Sequence, residues 1–155
     1  MFKIKAHDYI NPEEKISVYK YKAMGTQPEH THDFIELVYV YKGSGTHAVN
    51  GDCINICRGD LFFLNIGQSH TFHSNEGMEL VNILLQPRFI SEELIHSENA
   101  LEILALSLFD EFNGVMDRLI PHISFKGKEL LETETVIEAM VFEHAQKQTG
   151  YRTAL

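Results

Sequence analysis

Residues 34–57 read FIELVYVYKGSGTHAVNGDCINIC, and the fold is decided there. Asn50-Gly51 separates two alternating runs. Asn-Gly favours a two-residue type I′ hairpin, because both central residues must take positive φ. Such a turn pairs Val49 with Asp52 and His47 with Ile54. His47, Val49, Ile54 and Ile56 then share one face, and Thr46, Ala48, Cys53, Asn55 and Cys57 share the other. The first set is the more apolar and is expected to point inward. Upstream, Phe34 to Tyr41 is almost wholly apolar or aromatic and ends at Gly43-Ser44-Gly45.

The neighbouring segments read the same way. Ile16 to Ala23 alternates β-formers with lysine, and Gly25 to Pro28 is turn chemistry. Arg58-Gly59-Asp60 turns the chain into Leu61 to Asn65, and Ile66 to Ser69 turns it into His70 to Ser74. Past Asn75-Glu76-Gly77, a last strand runs from Met78 to Leu85. Many short strands with Gly-rich turns predict an antiparallel sandwich or barrel. From Ser91 the period becomes helical, with Leu101, Leu104, Ala105 and Leu108 spaced along one face. A short strand is expected at Ile123 to Phe125. A helix of about five turns follows through Leu130, Val136, Ile137, Met140 and Val141, with Gly150 as its cap. Tyr151 to Leu155 reads as the start of another helix, too short to be stable alone, so the chain reads as cut off there.

The chain has 155 residues, enough for a core without disulfides or structural metals. Apolar residues at 44% and charged residues at 23% exclude a disordered or fibrous chain. The net charge of −9 repels phosphate and excludes this segment as one that grips a nucleic-acid backbone. Most of that charge lies late: 10 acidic and 8 basic residues through Arg88, then 12 acidic and 5 basic. Composition shifts at the same point, so two subregions are expected: a β part over 1–88 that includes an N-terminal arm, and a helical part over 89–155 packed on it. No run approaches the roughly 20 apolar residues of a membrane span, and the N-terminus lacks a signal-peptide core. Cys53 and Cys57, four apart on one strand, would be about 13 Å apart, beyond the roughly 7 Å a disulfide allows. Free thiols fit a reducing cytoplasm.

Of nine histidines, five lie between His30 and His73. His30, His32 and Glu36 share strand parity and project from one face, together with Phe34, Val38 and Val40. A charged carboxylate among apolar neighbours is costly unless a cation, a protonated histidine or a polar ligand compensates it. Antiparallel pairing of a later strand can bring His70 to the same place. Three imidazoles and a carboxylate suit Zn, Ni, Mn or Fe, with positions left open for water or an effector. A lysine or arginine holding Glu36 is the blander alternative. His73 has the opposite parity to His70 and is expected at the surface; His7, His96, His122 and His144 lack partners at ligand spacing and are expected to be solvated. His47 is a candidate for the cavity wall through the hairpin register.

His30-x-His32-x3-Glu36-x6-Gly43 resembles the latter part of the first cupin motif, and Gly59-x5-Asn65-x-Gly67-x2-His70-x3-Ser74 is similar to the second. Four residues separate Gly25 from His30 where the usual pattern has five; Asn65 replaces the usual proline and Ser74 the usual asparagine. Fifteen residues separate Gly43 from Gly59, the common short spacing. The resemblance implies a cupin double-stranded β-helix, a small jelly-roll barrel that is mainly β, followed by C-terminal helices. It places the family's metal ligands on His30, His32, Glu36 and His70. The wording HTHDFIELVYVYKGSGTHAVNG, RGDLFFLNIGQSHTF and VIEAMVFEHAQKQTGYRTAL also resembles the N-terminal sensor domain of AraC-type transcription regulators, over about Ile16 to Leu155.

That resemblance implies a sensor whose barrel takes a small effector, a sugar in many relatives, with or without a divalent metal. The implied lining adds Phe34, His47, Phe72 and Asn82 to the ligand set, with Phe34 and Phe72 placed to stack on a sugar face. It also implies a homodimer, and DNA binding through a helix-turn-helix module expected to lie outside these 155 residues. The alternative is a free-standing metal-dependent cupin enzyme: a dioxygenase, decarboxylase or sugar isomerase. A storage or structural cupin with an unused cavity is the third possibility.

Overall fold

The computed structural model describes residues 2–86, 122–147 and 149–151. The elements are β1 (Phe2–Ile4), α1 (Ala6–Tyr9), β2 (Ile16–Thr26), β3 (His30–His32), β4 (Ile35–Val49), β5 (Asp52–Cys57), β6 (Asp60–Leu64), β7 (His70–Leu85), β8 (His122–Ser124) and α2 (Gly127–Gln146). The expected helix beginning at Ser91 lies outside the described residues, as do the last four of the segment from Tyr151. No helix among the described residues is long and apolar enough to cross a membrane.

The expected hairpin forms. Asn50 and Gly51 take φ of 50° and 90°, and Val49 pairs with Asp52 and His47 with Ile54. His47, Val49 and Ile56 are buried and Ile54 packs against the core, while Cys53 and Cys57 are exposed free thiols.

Two strands are longer than their sequence suggests. β4 continues through Gly43-Ser44-Gly45, and β7 continues through Asn75-Glu76-Gly77. Both stretches were expected to end strands; instead they crease them. β4 shifts register against β7 between Val40 and Lys42 and again between Gly43 and Thr46, and β2 shifts against β7 between Ala23 and Gly25. An extra residue bends a strand without ending its pairing. At the crease Gly43 takes φ 85°, and a Cβ there would lie 2.5 Å from the Gly77 carbonyl oxygen, so only glycine fits.

On one side of the crease β7 lies between β2 and the first half of β4, with β6 beyond; on the other, β4 lies between β5 and the start of β7. β8 extends the β6 edge, and β1 runs parallel to β3. The result is a rolled sheet, the double-stranded β-helix with a C-terminal helix.

The unbroken apolar run in β4 has a simple cause: both of its faces are covered. Val38 and Val40 face the interior with Val49, Ile56, Phe62, Leu64, Phe72, Met78 and Leu80. Tyr39 faces the other way and packs with Val18, Val81 and Ile83 beneath Ile137 of α2, flanked by Leu130, Met140 and Val141. The helix ends earlier than Gly150, at Lys147, which takes φ 48° and donates its backbone N–H to the Glu143 carbonyl. Glu14, before β2, is buried and ties down that end: Lys147 Nζ and Tyr151 Oη lie 2.7 and 2.8 Å from its Oε1. His144, expected to be solvated, lies 3.4 Å from the other Glu14 oxygen.

Candidate metal centre and effector cavity

β3, β4 and β7 bring three of the expected ligands, His30, Glu36 and His70, into one group, with His32 beside Glu36. His30 pairs directly with His70, and Glu36 with Leu84 on the same long strand. One donor atom from each of His30, Glu36 and His70 lies within 4.8 Å of the others. His32 joins through Glu36: its Nε2 lies 3.6 Å from Oε2, and His70 Nε2 lies 3.3 Å from the same oxygen. His32, Glu36 and His70 are all but sealed from solvent.

The outer atoms of these groups are held. His30 Nδ1 is 3.0 Å from the Pro28 carbonyl oxygen and His32 Nδ1 is 2.6 Å from that of Phe34. A carbonyl only accepts, so both Nδ1 atoms donate and both Nε2 lone pairs remain bare. Asn82 Nδ2 donates to Glu36 Oε1 at 2.7 Å, which leaves Oε2 for the centre. His32 Nε2, His70 Nε2 and Glu36 Oε2 are buried without hydrogen-bond partners.

Burial dominates the electrostatics. It pushes the Glu36 carboxyl up to about 8 and holds the His32 and His70 imidazoles below the ordinary histidine value. The neutral forms win wherever a charge loses its water and gains no partner. A divalent cation would reverse that balance, with the imidazole lone pairs of His32 and His70 and the Glu36 carboxylate available to hold it. Nitrogen and oxygen donors in this mixture, with their outer atoms anchored, are the donor set of a divalent transition metal. The residues present therefore fit a metal.

Beside the cluster opens a cavity of about 150 Å³. Phe34, Phe72 and Asn82 line it, as expected, along with His30, Glu36 and His70. One face of each phenyl is already taken: Phe34 stacks on His32 at 4.7 Å and Phe72 on His47 at 4.0 Å. Asn82 Oδ1 is a buried acceptor without a partner. His47 corrects one expectation. It points inward as the hairpin register demands, yet it sits behind Phe72 and His70 and is absent from the cavity lining.

The rest of the wall was missed from sequence: Ile4 and Tyr9 of the N-terminal arm, Tyr19 and Tyr21 of β2, and Gln27. Tyr19 and Tyr21 share strand parity with buried Ala23, a signal that could have found them. Ile4 and Tyr9 had no such signal, because the parallel pairing of β1 with β3 and the bond from Ala6 N–H to Asp33 Oδ1 (2.7 Å) place them.

Comparison with known proteins gives the family. Residues 16–111 match the model of the AraC-like ligand binding domain. The HTH-type transcriptional activator RhaR of Escherichia coli (strain K12) is 44% identical over 59 residues, covering 38% of this chain and 21% of that protein. The RhaR of Shigella flexneri serotype 5b (strain 8401) matches with the same figures. The chain thus spans about a fifth of the curated relatives it matches. Among solved structures, an RmlC-like cupin from Shewanella frigidimarina is 22% identical with a TM-score of 0.44, covering 48% of this chain and 68% of that one. Matched over more than half its length, the chain belongs to the AraC-like ligand binding domains.

Proposed function

We propose that this chain senses a small polyhydroxylated effector, a sugar, for an AraC-type transcription regulator, beside a divalent metal held by His30, His32, Glu36 and His70. The observation that carries the reading is the convergence of three buried, unpartnered atoms on one point: His32 Nε2, His70 Nε2 and Glu36 Oε2. Leaving such a set bare is costly, and a cation removes the cost. When bound, the metal supplies a Lewis-acidic centre with open positions for an effector oxygen. Phe34 and Phe72 offer the ring faces that the imidazoles leave free, and Asn82 Oδ1 accepts a hydroxyl hydrogen.

In this reading residues 1–88 form the barrel with its arm, and 89–155 form a helical connector towards a helix-turn-helix module that binds DNA. The effector prefers one of two arrangements of arm and helix, and so biases the module in a cytoplasmic homodimer. The net charge of −9 suits a domain that leaves phosphate to another part of the protein.

Elemental analysis of the native protein, followed by calorimetric titration with a panel of sugars before and after chelation, tests the reading. Saturable binding that His32→Ala and Glu36→Ala both weaken supports it. An unfolding temperature that no sugar and no metal raises rejects it, because a ligand that binds only the folded state must raise it.

A further inference from the structure

The three imidazoles of the centre are not anchored alike. Carbonyl oxygens fix the tautomers of His30 and His32, whereas His70 Nδ1 meets His47 Nε2 at 3.3 Å. An imidazole nitrogen can donate or accept, so the nitrogen of His70 that carries hydrogen is decided one residue further out. From this we infer that His47 is a positioning residue whose own tautomer sets whether His70 presents a lone pair to the centre. The inference rests on the metal reading above.

His47 is fully buried and its ring is clamped. It stacks on Phe72 at 4.0 Å and 15°, and meets Phe62 edge-on at 4.6 Å and 88°. Its Nδ1 has no partner. Two arrangements of the pair follow. In the first, His47 Nε2–H donates to His70 Nδ1, and His70 carries hydrogen on Nε2, 3.3 Å from Glu36 Oε2. In the second, His70 Nδ1–H donates to His47 Nε2, His47 carries hydrogen on Nδ1, and His70 Nε2 is bare. Each ring keeps one hydrogen throughout, so the pair neither gains nor loses a proton.

Without metal the first arrangement is preferred. It turns the His70 Nε2–H towards Glu36 Oε2, an oxygen that can accept whether or not the carboxyl is ionised, and leaves an unpartnered acceptor at His47, which costs less than a buried unpartnered donor. A metal at His70 Nε2 requires the second. Loading the centre therefore exchanges both tautomers and hands an unpartnered N–H to His47, between Phe72 and Phe62.

Zinc and the 155-residue chain test this. Long-range ¹H–¹⁵N correlation spectra of the imidazoles distinguish bare from hydrogen-bearing nitrogens. Both His47 and His70 are expected to change from Nε2–H to Nδ1–H on zinc addition. His47→Phe keeps a ring but offers no acceptor, and is expected to weaken zinc binding about 10- to 100-fold. His47→Gln places an amide oxygen near the Nε2 position and should recover most of that loss. Retention of Nε2–H on His47 in the zinc-loaded protein overturns the inference alone, as does undiminished zinc affinity in His47→Phe. Failure of the unaltered chain to take up zinc overturns the inference and the metal reading together.

Discussion

Arg58 and Glu134 join the turn between β5 and β6 to helix α2 through two parallel hydrogen bonds, Nε to Oε1 at 2.7 Å and Nη2 to Oε2 at 2.6 Å. Tyr39, buried beneath the helix, donates to the same carboxylate at 3.4 Å. The Arg58 guanidinium, opposed by partial burial, holds the Glu134 carboxyl below its ordinary value of 4.5. A carboxylate with a depressed folded-state pKa stabilises the fold above its unfolded value and loses that contribution as pH falls through the folded one. Glu134→Gln should therefore lower the urea midpoint at pH 7, with the gap to the unaltered chain closing progressively below about pH 4.5. A gap that stays constant down to pH 3 would refute the pairing.

Glu36→Gln should keep the fold. The amide oxygen can still accept from Asn82, and its NH₂ can face the bare nitrogen of His32 at Oε2's position. Removing a buried ionisable group from an apolar site does not destabilise the metal-free protein. Metal affinity should nevertheless fall by more than the roughly 10- to 100-fold typical of losing an outer partner, since a ligand itself is lost. Calorimetric titration with zinc, alongside thermal unfolding of the metal-free protein, separates the two effects.

Asn82→Ala should behave in the opposite way. It deletes the donor to Glu36 Oε1 and leaves that buried oxygen unsatisfied. The expected cost is about 1–3 kcal/mol in urea-derived stability. A neutral result would mean that water reaches Oε1 once the amide is gone.

Gly43→Ala tests the crease. At φ 85°, with the Gly77 carbonyl oxygen 2.5 Å from the added Cβ, the backbone must move or strain. The expected loss is about 1–3 kcal/mol. Amide exchange should speed up on both sides of the β4–β7 crossing, at Val40 and at Thr46. Unaltered protection there would show that the crease tolerates a side chain.

Much of the site was legible because its signals are local. His30, His32 and Glu36 lie within seven residues and share parity, so any extended backbone puts them on one face. Asn50-Gly51 specifies its own turn, and the turn dictates the β4–β5 register. His70 was placed by resemblance to a spacing. The glycine clusters were misread as strand ends because the same residues serve a turn and a bulge. Only the strands pairing on either side tell them apart. His144 was read as solvated because Glu14 is 130 positions earlier in the chain.

What the amino-acid order determined by itself was the alternation of faces, the hairpin and the chemistry of the ligand set, since φ preferences and a two-residue period act between neighbours. Tertiary structure alone decided that Ile4 and Tyr9 wall the cavity and that His47 stands behind His70. It also decided that α2 covers the outer face of β4. Those relations depend on which strands pair and which surfaces leave water, an energy summed over the whole chain that no short stretch carries.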